Sequence, residues 1–302
     1  MEWYDYETYI EIIPPNLFSF KECVRFLSRS DSEILHRVKD NSVWKLVQIE
    51  NEKLLLKVSC PENDVMVEIV NKKTSSSERK KVAEYVWDWL GFNQSLEKFY
   101  RIGSNDIVLQ PIIPLYKGLR IISIPDLFEA MTWAIIGQQI NLAFAYTLKK
   151  RFVESYGAFL SIEKETYWIF PSASVVASLN VEDLTKLQFS ARKAEYVIGV
   201  ARAIEKGELS KGSLVDMQEY KSLRAALVSF RGVGTWTADY VMMRCLQHPS
   251  AFPIADVGLH NALKKRFNLS QKPSIQEIEE WSKPWEGFEA FATFYLWRYL
   301  DE

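Results

Sequence analysis

Leu227-Val228-Ser229-Phe230-Arg231-Gly232-Val233-Gly234-Thr235-Trp236-Thr237-Ala238-Asp239-Tyr240 is the stretch on which the reading of this chain turns. An amphipathic helix is predicted to end at the Gly-x-Gly turn, and a second helix to begin at once. Two glycines permit a tight backbone, and the free N–H groups at the following helix start can donate to a phosphate. No G-x-G-x-x-G pattern follows a strand here, so the turn is not a dinucleotide fingerprint. A hairpin between two helices suits a sequence-independent grip on a nucleic-acid backbone. Taken alone, it reads equally as a plain helix–helix corner.

A second informative stretch follows at Ala251-Phe252-Pro253-Ile254-Ala255-Asp256-Val257-Gly258-Leu259. Asp256 stands immediately before the apolar pattern Val257, Leu259, Leu263, the place of a helix N-cap worth about 1 kcal/mol. A helix start also favours a negative charge, so a cap and a working carboxylate are compatible readings. Trp236 and Tyr240 lie four residues apart and share one helix face, where they line a pocket or pack in a core. Asp239, between apolar neighbours, is expected in an ion pair or a hydrogen-bond bracket, His260 in a structural or DNA-facing contact, and Cys245 in the core.

The rest of the 302 residues bounds what such segments can do. Lys+Arg number 37 against 39 Asp+Glu, for a net charge of −2, and 48% hydrophobic with 25% charged residues is a globular composition rather than a disordered one. Between Ala191 and Lys272 the balance is 13 basic to 7 acidic residues, +6, which leaves −8 elsewhere. Clustering in sequence is not a patch in space. Cys23, Cys60 and Cys245 form no disulfide framework, zinc knuckle or iron–sulfur loop, and His36, His248 and His260 form no H-E-x-x-H motif. No apolar run reaches membrane-spanning length and the start MEWYDYETYI is no secretory signal, so a cytoplasmic protein without membrane association is expected.

The first hundred residues read as sheet. Short runs rich in branched and aromatic residues lie at Tyr9–Ile13, Val43–Ile49, Leu54–Val58 and Val65–Val70, with polar turns between them, which favours an antiparallel meander. Helices are predicted near Phe20–Leu27 and from about Ser77 to Leu90. From Pro125 the pattern becomes helical: Leu127, Met131, Ala134 and Ile135 are spaced for one helix, and Gly137-Gln138-Gln139-Ile140-Asn141 interrupts it. Leu142, Ala145, Leu148 and Phe152 then form the next, and further helices are expected up to Leu300. The fold class is therefore α+β: a small antiparallel-sheet domain over 1–112, then a mainly helical domain over 113–302.

The hairpin, the Pro-x-x-Asp segment and their spacing resemble the helix-hairpin-helix DNA glycosylases, and within them the DNA-3-methyladenine glycosylase II family. Phe128-Glu129-Ala130 through Gly137-Gln138-Gln139 is similar to that family's first helical segment. Phe170-Pro171 with Ser190-Ala191-Arg192-Lys193-Ala194 is similar to the next, and Trp281-Ser282-Lys283-Pro284-Trp285 with Tyr295-Leu296-Trp297-Arg298 to its last helix. The likeness covers roughly Leu119–Leu300; over residues 1–100 it is architectural.

The resemblance implies a monofunctional glycosylase that extrudes an alkylated purine (3-methyladenine, 7-methylguanine) from double-stranded DNA and hydrolyses its glycosidic bond, leaving an abasic site. Asp256 matches the catalytic aspartate, and Trp236, Tyr240 and Trp297 match base-pocket aromatics. Gln139, Arg231, Gly232, Gly234 and Thr235 fall at DNA-binding positions, with Gln139 at the wedge. The carbonyls of Val228, Phe230 and Val233 match those that hold a Na+ or K+ ion. No catalytic cofactor and no iron–sulfur cluster are implied, and a monomer is expected. Trp236 occupies the position at which strand-cutting relatives carry a lysine nucleophile. Glycosylases for deaminated or oxidised bases, and a catalytically silent DNA-binding module, are the alternatives.

Overall fold

Residues 2–69 build one antiparallel sheet in the order β1-β2-β6-β5-β4-β3. Its strands are β1 (Glu2–Asp5), β2 (Ile10–Ile13), β3 (Arg37–Lys39), β4 (Ser42–Ile49), β5 (Glu52–Ser59) and β6 (Val65–Ile69). The computed structural model describes residues 1–217 and 219–301. Strands β3 to β6 form the expected meander, whereas the N-terminal hairpin β1–β2 adds on the far side by pairing Ile10 with Val67. Sequence reading missed β1 and β3. The signal for β3 is Asp40-Asn41, both at positive φ in a two-residue turn that registers Lys39 against Ser42. Glu50, also at positive φ, makes the corresponding turn between Ile49 and Glu52.

Helices α1 (Phe20–Leu27) and α2 (Ser76–Trp89) accompany the sheet. Ser75 and Glu78 form a reciprocal capping box that starts α2, where the polar run from Asn71 gives way to helix. The short α3 (Glu97–Gly103) precedes the helical part. There α4 (Leu127–Gly137) is capped by Asp126 and α5 (Leu142–Tyr156) by Asn141. A hairpin, β7 (Ala158–Ile162) with β8 (Glu165–Ile169), interrupts the helices and was not anticipated. Its Tyr167 packs with Leu46 and Leu55 on the outer face of the sheet, and Glu165 pairs with Lys39. The helical domain thus lends the sheet a cover. The order continues with α6 (Ala173–Ala177), α7 (Val181–Thr185), α8 (Ala191–Glu205), α9 (Lys211–Val215), α10 (Tyr220–Val228), α11 (Thr235–Arg244), α12 (Val257–Phe267), α13 (Ile275–Ser282) and α14 (Glu289–Leu300). Among the described residues no helix is long and apolar enough to cross a membrane.

One large, continuous hydrophobic core runs from the sheet into the helices. At the seam, Phe26 of α1 meets Phe294 of α14 with ring centroids 4.5 Å apart, and Glu22 pairs with Arg298 at 3.3 Å although both side chains are buried. Because the core is continuous, truncation at the seam should destabilise the molecule as one unit. Phe294→Ala is expected to cost about 3–5 kcal/mol. Urea unfolding followed by tryptophan fluorescence and circular dichroism should show coincident transitions, both shifted to lower urea. Separate transitions for the two signals would contradict a shared core.

Candidate active site

Helices α10 and α11 form the hairpin that the Gly-x-Gly motif predicts. Val233 N–H donates to Phe230 O at 3.0 Å, closing the turn, and Gly232 has φ +91°. A Cβ on Gly232 would lie 2.2 Å from the Tyr196 ring, so both conformation and space demand glycine. Gly234 occupies the N-cap of α11 with no side-chain cap, and nothing lies within 4 Å of where its Cβ would be. That helix start is therefore open to an incoming group. Arg231 is 78% exposed and pairs with Glu195 at 2.9 Å, and Thr235 is exposed beside it.

Two internal ties fix the hairpin. Gln138 Nε2, at the end of α4, donates to Gly232 O and to Thr237 Oγ1, each at 2.9 Å. Asp239 of α11, 1% exposed, accepts from Tyr220 OH at 2.7 Å and pairs with Arg224 at 3.0 Å, both on α10. This is the bracket expected for Asp239. Burial pushes its carboxyl up to about 6, against the opposing pull of Tyr220 and Arg224.

Asp256 is the N-cap of α12: its Oδ2 accepts from Leu259 N–H at 2.8 Å. Two indoles reach the same carboxylate. Trp297 Nε1 donates to Oδ2 at 2.7 Å and Trp236 Nε1 to Oδ1 at 3.0 Å. Oδ2 therefore has both lone pairs engaged, while Oδ1 keeps one for a further partner. Gly258 makes room for this arrangement, since a Cβ there would come within 2.9 Å of Oδ2 and 3.1 Å of the Trp297 ring. His260 Nε2 bonds to Ile254 O at 2.8 Å and steadies the approach to α12, while Cys245 is buried, its thiol pushed up to about 12 by that burial.

The Gly-x-Gly turn, the start of α11, Asp256 and its two indoles face an open cleft of about 1180 Å³. Trp236, Tyr240 and Trp297 line it in sequence, with centroids 5.7 and 5.9 Å apart, and Asp256 lies beside them at 9% exposure. Gln139, exposed and at φ +55°, stands at the cleft between α4 and α5. Sequence reading missed Gln138, Trp133, Arg29 and Arg244. Arg244 had a signal, being four residues beyond Tyr240 on the same helix face; Arg29 had none. Within the basic surplus of Ala191–Lys272, Lys193, Arg202, Lys211, Arg224 and Arg266 are tied to Ile136 O, Ala177 O, Asp88, Asp239 and Val108 O.

Residues 132–287 match the family described as HhH-GPD superfamily base excision DNA repair protein. The chain belongs to that superfamily, as a DNA glycosylase of the DNA-3-methyladenine glycosylase II family. Residues 8–131 match the family described as 8-oxoguanine DNA glycosylase, N-terminal domain. The chain is 39% identical over 303 residues to the DNA-3-methyladenine glycosylase of Bacillus subtilis (strain 168), covering 99% of this chain and 100% of that one. Its fold matches 3-methyladenine DNA-glycosylase from Archaeoglobus fulgidus with a TM-score of 0.79 at 21% identity, over 96% of this chain and 98% of that chain. It also matches the Clostridium acetobutylicum 8-oxoguanine glycosylase/lyase solved with dsDNA, with a TM-score of 0.77 at 18% identity, over 99% and 97% of the two chains.

The hairpin bracket predicts a pH signature in this family member. Asp239 holds its proton up to about pH 6 in the folded chain, against an ordinary value of 3.8. The stability linked to that proton is complete below the unfolded value and is lost as pH rises through the folded one. Asp239→Asn, which cannot titrate, should therefore flatten the dependence of unfolding free energy on pH between these two values. Urea titrations at a series of pH values check this, and an unaltered slope would count against it.

Proposed function

We propose that this DNA glycosylase extrudes an alkylated purine from duplex DNA and hydrolyses its glycosidic bond with Asp256 as the one catalytic carboxylate, leaving an abasic site. The observation that carries this reading is Asp256 itself, held by two indole N–H groups and a helix N-terminus at the edge of an aromatic cleft. Its free Oδ1 lone pair is suited to an oxocarbenium-like sugar and to orienting the attacking water. The C1′–N bond breaks with its electron pair going to the base, and water adds its oxygen to C1′ while giving up one proton to Asp256, which passes it to solvent. An N3- or N7-alkylated purine already carries positive charge and leaves as a neutral base, so no acid needs to protonate it. Extrusion costs a few kcal/mol and is cheapest for damaged bases, which places part of the selection before the cleft.

Among the described residues no lysine lines the cleft, and Trp236 uses its N–H on Asp256. This supports base release without strand cutting. The amides of Gly234 and Thr235 at the open start of α11, with Arg231 nearby, are the groups we assign to a DNA phosphate, and Gln139 is assigned to the gap left by the extruded nucleotide. A Na+ or K+ ion fits the same turn. The carbonyls of Val228 and Val233 receive no hydrogen bond among the described residues, and that of Phe230 receives one. These three oxygens would hold the ion, which would supply positive charge near a phosphate.

Removing one preorganised electrostatic group typically costs about 10²–10³ in rate. Asp256→Asn should lose excision by at least that factor while retaining DNA binding. Purified protein and variant are incubated with methylated duplex, and released bases are identified by mass spectrometry. Near-wild-type release by Asp256→Asn would refute the assignment.

A further inference from the structure

At its inner end the aromatic cleft adjoins a smaller cavity of about 50 Å³, and Arg29, Trp133, Tyr240 and Arg244 line both. Hydrogen-bond accounting gives this floor a definite character. Indole and guanidinium N–H groups can only donate, so Tyr240 Oη accepts from Trp133 Nε1 at 2.9 Å and from Arg244 Nη1 at 3.1 Å. Both its lone pairs are then occupied, and its own proton has no acceptor among the described residues. Tyr146 repeats the pattern: it accepts from Arg29 Nε at 3.0 Å, and its proton is likewise without an acceptor there. Arg29 lies over Phe26 at 4.0 Å, and its two terminal nitrogens make no hydrogen bond among the described residues.

The carboxylates around the small cavity do not meet this need. Glu33 takes Lys149 at 2.9 and 3.1 Å and the N–H groups of Ile34 and Leu35, while Glu129 faces Lys149 at 3.9 Å. Lys45 and His36, also on the cavity, bond to Leu35 O and Leu27 O. Asp301, which also lines the cleft, acts electrostatically on Arg29, so what the floor presents toward an occupant is chiefly the Tyr240 hydroxyl hydrogen, with the two guanidiniums behind it.

Resting on the alkylpurine reading above, we infer that Tyr240, backed by Arg244 and with Arg29 beside it, is a specificity determinant that donates a hydrogen to a carbonyl oxygen on the extruded base. The site therefore favours N-alkylated purines with an exocyclic oxygen, the guanine type, over those with an exocyclic amino group, the adenine type. An amino group would set N–H against N–H and leave buried donors unpaired, whereas a carbonyl oxygen satisfies them. The Tyr240 ring remains a cleft wall for either base; only the hydroxyl discriminates.

The test compares wild type with Tyr240→Phe in single-turnover excision from dimethyl-sulfate-methylated duplex DNA, with 7-methylguanine and 3-methyladenine quantified separately. One hydrogen bond changes a rate by roughly tenfold, so Tyr240→Phe should lower 7-methylguanine release by about that factor and 3-methyladenine release by less than about twofold. An equal loss of both bases overturns the inference and leaves the alkylpurine reading intact. Release of neither base by the wild type overturns both. Tyr240→Phe strips a partner from Trp133 and Arg244 and so can fail to fold. Inhibition of the wild type by the two free bases needs no variant: 7-methylguanine should act at about tenfold lower concentration. Equal potency, or the reverse order, overturns the inference.

Discussion

A carboxylate can sit nearly buried at Asp256 only if other groups replace the water it gives up, a loss worth several kcal/mol. Three N–H donors do so, and they come from three helices: the backbone of α12, the Trp236 indole on α11 and the Trp297 indole on α14. Their convergence fixes how these helices lie against one another. It also explains why residue 258 has no side chain, since any Cβ would press on Oδ2 and on the Trp297 ring. The two indoles point their N–H edges at the carboxylate, and both rings line the cleft. One constraint thereby sets both the proposed catalytic carboxylate and the aromatic walls beside it.

The N-terminal domain has a part in the same cleft. Arg244, at the end of α11, is anchored by Ile122 O at 2.7 Å and lies between Phe26 and Phe294. Arg29 follows α1 and bonds across to Tyr146 of α5. The sheet domain therefore supplies one cation, Arg29, and the Phe26 ring that clamps Arg244, while the helical domain supplies Arg244, the hairpin and Asp256. The seam near Phe26 and Phe294 accordingly supports the binding surface as well as the shared core.

What could be read from sequence depended on how local the governing interaction is. Caps and turns act over a few residues, so Asp256 and the Gly-x-Gly turn could be placed in advance, and the strands β4, β5 and β6 followed from short branched runs between polar turns. The hairpin β7–β8 could not, because its alternation is weak: Phe159 is largely exposed, and the side that matters is defined by Leu46 and Leu55 more than a hundred residues earlier. The pairing of β2 with β6 likewise depends on a distant strand rather than on either sequence. At the cleft, Trp236, Tyr240 and Asp256 carried motif spacing. Arg29 and Gln138 work through partners such as Tyr146 and Gly232 O, and no local pattern marks them.

The positions of the charges separate binding from acceleration. Aromatic faces hold a cationic base by a contact worth about 2 kcal/mol, roughly thirtyfold in affinity. That attraction weakens as the bond breaks, because the positive charge passes from base to sugar. Groups that favour the starting cation therefore cannot by themselves speed its departure. In the proposed reaction Asp256 gains as the sugar becomes positive, and the Arg29 and Arg244 guanidiniums lose an unfavourable neighbour as the base becomes neutral. Carboxylate at one end and cations at the other thus favour the same movement of electrons along the cleft, toward the base. The aromatic walls then serve mainly to hold the base between them.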